Sequence, residues 1–259
     1  MILDLFKVPD KVAIVTGAGR GIGAGIAVAL AEVGADVVCA ARTQADIEAT
    51  AERVRATGRR ALAVPTDVTE RAQLEALVET TVAELGRLDI LVNNAGGWPP
   101  QPLLRTSERA FEQALRFNVT SAFLLTRFAV PAMLETAGGG SIINISSRAG
   151  SMVQPGFTAY GTSKAALSFM TRNMAPELAP EIRVNAIELG GVETDALATV
   201  LTDESIRRQL EENTPMRRVG QVDDIAAFAV YLASPASSWV TGKVFEIDGG
   251  TEHPSFTVA

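Results

Sequence analysis

Tyr160 and Lys164 are the two side chains of this sequence best suited to acid–base chemistry. They lie four residues apart in a stretch with helical spacing, so both belong to one face of the predicted helix. A free phenol has a pKa of about 10, and a neighbouring ammonium favours the phenolate and lowers that pKa. The pair therefore predicts a general acid or base. Because pairs at this spacing are common on surfaces, the interpretation depends on what surrounds it.

Two further segments come at the ends of predicted strands. Ser147 follows the fifth strand, just before Gly150, and residues 93–96 (NNAG) end the fourth. Ligands of open α/β sheets bind beyond the carboxyl ends of the strands. We therefore expect Ser147 to face the same crevice as Tyr160, and the small residues of NNAG to let a cofactor lie against the backbone. An ordinary turn is the alternative interpretation of NNAG.

A glycine-rich segment, residues 16–23 (TGAGRGIG), joins the first predicted strand to the first predicted helix. Glycines there permit a tight turn and a close approach of the backbone, and the free N–H groups at the start of the helix attract a pyrophosphate. A flexible turn would explain the glycines alone. The predicted dinucleotide contacts are Gly17, Gly19, Arg20, Gly21, Ile22 and Gly23.

The end of the second predicted strand indicates which dinucleotide binds. A carboxylate there would bind both ribose hydroxyls of NAD and repel the extra phosphate of NADP, but this chain has Arg42. A guanidinium presents a planar fork to a 2′-phosphate, and Arg20 is placed to reach the same group. We expect NADP as the cofactor. NAD is the alternative, since the missing carboxylate does not exclude it.

Strands and helices alternate along the chain. Short apolar or β-branched runs predict seven strands, at residues 11–16, 36–40, 61–64, 90–92, 141–145, 183–187 and 244–247. Such alternation requires parallel strands with right-handed crossovers. The predicted fold is a doubly wound, Rossmann-like α/β sheet with helices on both faces, in one domain over residues 1–259. Residues 190–221 are expected to form a substrate lid, with a pair of surface helices as the alternative.

The composition excludes several classes of function. One cysteine, Cys39, and one histidine, His253, are too few for the usual Cys/His metal sites, disulfide frameworks or histidine-based nucleophile systems. A net charge of −7 disfavours nucleic acid as a partner. Residues 1–10 lack the uninterrupted apolar core of a signal peptide, so we expect a cytoplasmic protein without a membrane span.

Taken together, these motifs resemble the short-chain dehydrogenase/reductase family. Residues 16–23 fit its TGxxxGxG pattern, residues 93–96 fit NNAG, and Asn118, Ser147, Tyr160 and Lys164 fit its Asn-Ser-Tyr-Lys set. The resemblance covers about residues 11–250 and extends to Asp-Val at 67–68, Val-Asn at 184–185, Thr-Gly at 241–242 and Asp-Gly-Gly at 248–250. Many ordered motifs are far more specific than any one alone.

The resemblance implies hydride transfer between a nicotinamide dinucleotide and a ketone or secondary alcohol. Tyr160 would exchange a proton with the substrate oxygen, which Ser147 would polarise through a hydrogen bond. Lys164 would lower the pKa of Tyr160 and bind the nicotinamide ribose, and Asn118 would hold a water that links Lys164 to solvent. The other implied cofactor contacts are Asp67, Val68, Asn94, Ala95, Gly96, Gly190, Val192 and Thr194, besides Tyr160 and Lys164 themselves.

One pair of residues departs from the family pattern. After the sixth predicted strand the family usually has Pro-Gly, whereas this chain has Leu189-Gly190. The change leaves the rigidity of the nicotinamide loop open. It does not alter the expected class of reaction.

The expected pocket is apolar, which favours a bulky ketone such as a hydroxysteroid over a sugar. Its predicted lining is Trp98, Pro99, Pro100, Met152, Val153, Phe157 and Leu189. A 3-oxoacyl-carrier-protein reductase is the alternative, but an acidic carrier needs basic residues at the entrance. Residues 135–140 have none, and Pro176, Glu177, Pro180 and Glu181 are expected to follow the catalytic helix.

Two other classes remain as alternatives: a dinucleotide-binding protein that has lost the chemistry, and an epimerase or dehydratase with a tightly held cofactor. The presence of all four family side chains argues against the first. The family usually forms homotetramers through two long helices, here about residues 107–137 and 156–175, and we expect a homotetramer.

Overall fold

The chain folds around one seven-stranded parallel sheet. The structure is a computed structural model, and it describes residues 1–194 and 204–252. The strand order is β3-β2-β1-β4-β5-β6-β7, which confirms the predicted doubly wound α/β fold. The strands are β1 Val12–Thr16, β2 Asp36–Ala41, β3 Ala61–Pro65, β4 Ile90–Asn93, β5 Gly140–Ser147, β6 Ile182–Leu189 and β7 Val244–Ile247.

Helices connect the strands and cover both faces of the sheet. The described α-helices are α1 Gly21–Glu32, α2 Gln44–Ala56, α3 Arg71–Leu85, α4 Glu108–Leu115, α5 Ser121–Ala137, α6 Thr158–Leu178, α7 Glu204–Asn213 and α8 Val222–Ala233. A π turn, Arg116–Thr120, joins α4 directly to α5. Short 3₁₀ turns lie at Ile2–Phe6, Leu103–Arg105, Arg148–Gly150 and Pro235–Ser237.

Both faces of the sheet are buried, as apolar strands of a parallel sheet require. All five residues of β1 are buried. Ile26 and Leu30 of α1 and Ile225 of α8 lie in the core on one face. Leu74 of α3 and Leu125 of α5 lie in the core on the other. The long α5 is the inner helix of that second layer.

The strand order reverses between β1 and β4, and this position opens a crevice at the carboxyl ends of the strands. β5 and β6 pair over eight residues, from Gly140 opposite Ile182 to Ser147 opposite Leu189. This long pairing carries Ser147 to the edge of the crevice. The glycine-rich segment, residues 16–23, enters the same crevice from β1.

The catalytic helix is longer than the sequence indicated. We expected Pro176 and Glu177 to follow it, but α6 continues to Leu178, so both residues lie in its last turn. Proline removes one hydrogen bond from a helix and clashes with the preceding turn. This helix accordingly ends two residues later, and Ala179 is extended.

Part of the predicted lid lies within the described residues. α7 occupies its second half. The remainder of the segment, residues 195–203, lies outside the described residues, as does His253. The lid therefore stays a prediction.

One described stretch, Glu108–Ala137, is long and apolar enough to cross a membrane by length and composition, and 39% of its most apolar window is buried. A core helix passes the same test, and the α5 part packs against α3 and the sheet.

Candidate active site

A cleft of about 520 Å³ lies at the carboxyl ends of the central strands. Most of the residues predicted to bind a cofactor line this cleft. They are Gly17, Gly19, Arg20, Gly21, Ile22, Gly23, Arg42, Asp67, Val68, Asn94, Ala95, Gly96, Tyr160, Lys164 and Thr194. The structure thus brings together residues from the whole length of the described chain.

The glycine-rich segment is held by Asn94 at the end of β4. Asn94 Nδ2 donates hydrogen bonds to the carbonyl oxygens of Thr16, at 2.8 Å, and Gly17, at 3.3 Å. A Cβ on Gly17, whose φ is +65°, would lie 2.7 Å from Asn94 Nδ2, and a Cβ on Gly23 would overlap the carbonyl of Gly17. Glycine is therefore required for this turn, and the cradle fits a pyrophosphate against bare backbone.

The start of α1 is open to an anion. Its N-cap, Arg20, is extended and makes no side-chain cap hydrogen bond, and the first turn has no acidic residue. Free N–H groups and the positive end of the helix dipole therefore face the cleft. This geometry supports the sequence prediction for Gly21, Ile22 and Gly23.

The adenosine side of the cleft carries two arginines and an acid that the sequence analysis missed. Arg20 and Arg42 are exposed. Asp46, in the first turn of α2, lines the same wall. None of the three side chains has a hydrogen bond or ion pair within residues 1–194 and 204–252. Asp46 comes four residues after Arg42 in the sequence, and only the fold shows that α2 places it against Gly19.

Asp67 lies at the far wall of the adenosine side. Its Oδ1 accepts hydrogen bonds from Thr69 N at 2.9 Å and Thr69 Oγ1 at 2.7 Å. Burial alone would raise the pKa of Asp67, but these bonds, with Arg42 and Arg116 nearby, lower it. The carboxylate is therefore anionic and fixed in orientation, beside Val68.

Lys164 is buried beneath the cleft, with 3% of its surface exposed. Its Nζ donates a hydrogen bond to the carbonyl oxygen of Ile145 in β5, at 2.8 Å. It lies 5.7 Å from the centre of the Tyr160 ring. Burial lowers the pKa of Lys164 to about 8. The ammonium is thus anchored by the sheet and can lose its proton near neutral pH.

The pKa of Tyr160 is raised, and this differs from the sequence-based expectation that Lys164 would lower it. Burial is the larger cause, and a hydrogen bond with the side chain of Ser147 acts in the opposite direction. Ser147 Oγ also accepts a hydrogen bond from Ala149 N, at 3.2 Å. The phenol therefore stays protonated at neutral pH, beside a hydroxyl held by the following turn.

Asn118 lies inside the π turn and is buried. Its Oδ1 accepts from Gly97 N at 2.8 Å, and its Nδ2 donates to the carbonyl oxygens of Gly97 and Ala114, at 3.2 and 2.9 Å. A Cβ on Gly96 would lie 2.8 Å from Asn118 Oδ1 and 3.0 Å from Lys164 Nζ. Asn118 and Lys164 thus meet against one glycine. Such π turns occur often at functional sites.

The predicted substrate side is formed by two loops that touch each other. Gln101 N donates a hydrogen bond to the carbonyl oxygen of Gly156, at 2.7 Å. The Phe157 ring lies edge-on to Tyr160, with 6.1 Å between the ring centres. Leu104 and Val153, on the two loops, are 99% and 88% exposed. Exposed apolar side chains therefore lie on the same two loops as Phe157, which contacts the tyrosine.

Two predicted cofactor residues do not line the cleft as described. Val192 is buried and forms a bridge with Gly220. Gly190 lies against Asp248, whose Cα would be 2.7 Å from a glycine Cβ. Their roles stay predictions. Leu189 does line the cleft and is the last residue of β6. Leucine supplies the backbone N–H that the family's usual proline lacks.

A buried charged cluster beside Ser147 was also missed. Glu188 Oε1 and Oε2 accept hydrogen bonds from Ser168 Oγ and Ser151 Oγ, each at 2.7 Å. Arg148 Nε lies 2.9 Å from Asp248 Oδ2, and Arg148 Nη1 lies 3.8 Å from Glu188 Oε2. The cluster joins the ends of β5, β6 and β7 to α6. Its members are scattered along the sequence, so no local pattern predicts it.

The fold and site define a nicotinamide-dinucleotide oxidoreductase that acts on alcohol or ketone groups. A glycine cradle and an open helix start share one cleft with a half-buried tyrosine and a buried lysine, and a serine is hydrogen-bonded to that tyrosine. In the described part of the chain, no group of acidic, histidine or cysteine residues is arranged to hold a metal ion.

Comparisons with known proteins agree with this class. A family model described as enoyl-(acyl carrier protein) reductase matches residues 17–252. An uncharacterized oxidoreductase of Mycobacterium tuberculosis is 51% identical over 98% of this chain and 97% of its own length. The 7α-hydroxysteroid dehydrogenase of Escherichia coli K12 is 42% identical over 95% and 96%.

Solved structures are similar over almost the whole chain. A 7α-hydroxysteroid dehydrogenase complexed with NADH and 7-oxo-glycochenodeoxycholic acid has a TM-score of 0.93 and 40% identity, covering 98% of this chain and 99% of its own. A gluconate 5-dehydrogenase of Burkholderia cenocepacia, in complex with NADP and tartrate, has a TM-score of 0.90 and 34% identity, covering 96% and 98%. The chain therefore belongs to the short-chain dehydrogenase/reductase family.

Proposed function

We propose that this protein transfers a hydride between NADP(H) and a bulky apolar ketone or secondary alcohol, such as a hydroxysteroid or a similar carbonyl compound. The observation that carries the proposal is that Tyr160 and Lys164 line the dinucleotide cleft, with the Ser147 side chain hydrogen-bonded to Tyr160. The nicotinamide dinucleotide supplies or accepts the hydride when it is bound. The side chains of this protein transfer the proton, orient the substrate oxygen and bind the cofactor.

Tyr160 donates a proton to the carbonyl oxygen during reduction and takes it back during oxidation. Its raised pKa keeps the phenol protonated at neutral pH, which suits a donor. The Ser147 hydroxyl orients and polarises the same oxygen. Lys164 lies below both, fixed to Ile145, with its ammonium on the cofactor side. We assign it the nicotinamide ribose.

Asn118 completes the proposed proton path. Because its amide is committed to Gly97 and Ala114, its main-chain carbonyl is the group to which we assign a water that serves Lys164. A lysine with a pKa of about 8 can pass a proton to such a water near neutral pH.

The NADP assignment is supported by Arg20 and Arg42, two exposed guanidinium groups that make no hydrogen bond or ion pair with an acidic side chain among the described residues. The apolar substrate is supported by the apolar side chains of Leu104, Val153 and Phe157. The relative that is named for a hydroxysteroid is similar in sequence to this chain over 95% of its length.

A Tyr160→Phe variant tests the proposal. We expect kcat with a bulky ketone to fall by about 10²- to 10⁴-fold, because only the proton donor is lost. Affinity for the dinucleotide should change far less than kcat, because most of the residues that line the cleft are unaltered. Tyr231→Phe is the matched control, since Tyr231 packs against Phe6 and Phe228, away from the cleft.

Turnover of Tyr160→Phe at the parent rate would contradict this mechanism. A panel of ketones and secondary alcohols, assayed with NADPH and NADH, tests the substrate and cofactor together. Including a 3-oxoacyl thioester separates the carrier-protein alternative. If no member of the panel turns over while the dinucleotide still binds, the non-catalytic alternative stands.

We also propose a homotetramer assembled through α4–α5 and α6. Phe123 on α5 is 45% exposed and Phe169 on α6 is 60% exposed, so both helices present aromatic rings that a second copy can cover. Light scattering in solution tests this, and a monomer would contradict it.

A further inference from the structure

Asp46 places a carboxylate on the wall of the dinucleotide cleft that also carries Arg20 and Arg42. A Cβ built on Gly19 would lie 2.9 Å from Asp46 Cβ and 3.7 Å from Asp46 Oδ2. The carboxyl group therefore lies directly against the glycine-rich segment, one residue from Arg20. Arg42 lies on the same wall, four residues before Asp46. The three charges share the adenosine end of the cleft.

Asp46 differs from the other carboxylate that lines the described cleft. Asp67 is held by two hydrogen bonds from Thr69. The carboxylate of Asp46 has no such partner within the described residues, although its main-chain carbonyl accepts a bond from Thr50. It is therefore available to the guanidinium groups of Arg20 and Arg42.

We propose that Asp46 sets the cofactor selectivity of this cleft by weakening NADP binding relative to NAD. The 2′-phosphate of NADP and the Asp46 carboxylate compete for Arg20 and Arg42, and the two anions repel each other. NAD has no 2′-phosphate, so neither effect acts on it. The protein then accepts both dinucleotides, with a narrower preference for NADP than its two arginines alone would give.

Asp46 also has a structural role, and the test must distinguish that role from its effect on cofactor selectivity. It lies in the first turn of α2, where an anion stabilises the helix. Loss of that stabilisation would affect both dinucleotides alike. A change confined to NADP therefore identifies the electrostatic role. The proposal rests on the proposed NADP site but makes its own measurable claim.

The test is Asp46→Asn, with binding of NADP⁺ and NAD⁺ measured by isothermal titration calorimetry in the absence of substrate. We expect the Kd for NADP⁺ to fall about three- to tenfold, as removing one partly screened charge near a phosphate allows. The Kd for NAD⁺ should stay within about twofold. Glu48→Gln is the matched control, because it removes one charge from the same helix and Glu48 pairs with Arg55 instead. Neither Kd should change in this control.

Two results would overturn the proposal. One is an NADP⁺ affinity that does not increase in Asp46→Asn. The other is a weaker NAD⁺ affinity, which would mean that Asp46 binds the ribose hydroxyls. The proposed cofactor preference is judged separately, from the ratio of the two Kd values in the unmodified protein. A parent protein that prefers NAD⁺ contradicts that preference, whereas the effect of Asp46→Asn relative to the parent still decides the role of Asp46.

Discussion

The two halves of the crevice are built differently. The nucleotide half consists of strand ends and main-chain turns in close contact, such as Gly17 and Gly23 against Asn94. The substrate half consists of two loops on which two apolar side chains, Leu104 and Val153, are almost fully exposed. A pyrophosphate is the same in every reaction, whereas substrates vary. One half therefore demands a single geometry, and the other tolerates change.

The proposed reacting groups lie where the two halves meet, and they are fixed from the nucleotide side. Lys164 is tied to Ile145 of β5, and Ser146 Oγ donates a hydrogen bond to the carbonyl oxygen of Lys164, at 3.1 Å. The chemistry is thus attached to the sheet and not to the loops. Substrate choice can change without disturbing it.

Gly23→Ala should give the largest effect. Its Cβ would overlap the carbonyl of Gly17 and press on Asn94, so the turn must move. We expect dinucleotide affinity to fall by at least about 100-fold, as a displaced binding geometry does. Calorimetric titration measures it. Ala29→Gly on the same helix is the control for helix stability, and normal affinity in Gly23→Ala would show that the nucleotide half is less rigid than its contacts indicate.

Lys164→Met should show that the buried ammonium of Lys164, where the two halves of the crevice meet, lowers the stability of the parent protein. Burial lowers the pKa of Lys164 in the folded protein to about 8, from the ordinary lysine value of 10.5. Between these values the unfolded chain binds more protons, so the stability of the parent rises with pH. Below pH 8 the parent carries a penalty of about 3 kcal/mol that the variant lacks.

Urea unfolding of both proteins from pH 7 to pH 10.5 measures this difference. The free energy of unfolding of Lys164→Met relative to the parent should be most favourable at pH 7 and should decline as the pH rises. The variant also leaves the Ile145 carbonyl without its donor, which shifts the two curves by a constant. A difference that does not vary with pH would contradict the buried ammonium.

Val153→Ser should give the smallest effect and should be confined to the substrate half. Val153 is 88% exposed, so a bulky apolar ketone can cover it. We expect KM for that ketone to rise by about two- to fivefold, the loss from partial burial of a valine side chain. Dinucleotide affinity should not change. Leu3→Ser, which alters an exposed apolar residue near the N-terminus, is the control, and an unchanged KM would remove Val153 from the substrate site.

The sequence predicted the sheet well because its strands are buried on both faces. Apolar runs mark such strands directly, and the predicted β7, residues 244–247, has the bounds found in the structure. β5 and β6 proved longer, since their ends, which include Ser147 and Glu188, are polar. Polar strand ends are where ligands bind, so hydrophobicity fails at the site itself.

The spacing predicted that Tyr160 and Lys164 share one cleft, but it did not predict their electrostatics. Tyr160 and Lys164 face the cleft as the four-residue spacing requires. The predicted direction of the Tyr160 pKa shift was wrong. Burial, which depends on the whole fold, raises this pKa more than the neighbouring groups lower it. Asp46 and Glu188 were missed for the same reason. Their partners lie on other elements, and no local pattern records that proximity.

The π turn at Arg116–Thr120 has a consequence for engineering this protein. One additional residue in a helical turn rotates everything that follows by about 100° about the helix axis. A helical wheel drawn through Glu108–Ala137 as one regular helix therefore assigns the wrong face to either α4 or α5. A chimera that exchanges this stretch must place its junction outside the turn or carry the additional residue with it. Otherwise the Asn118 side chain is rotated away from Gly97 and Lys164, although its sequence position is unchanged.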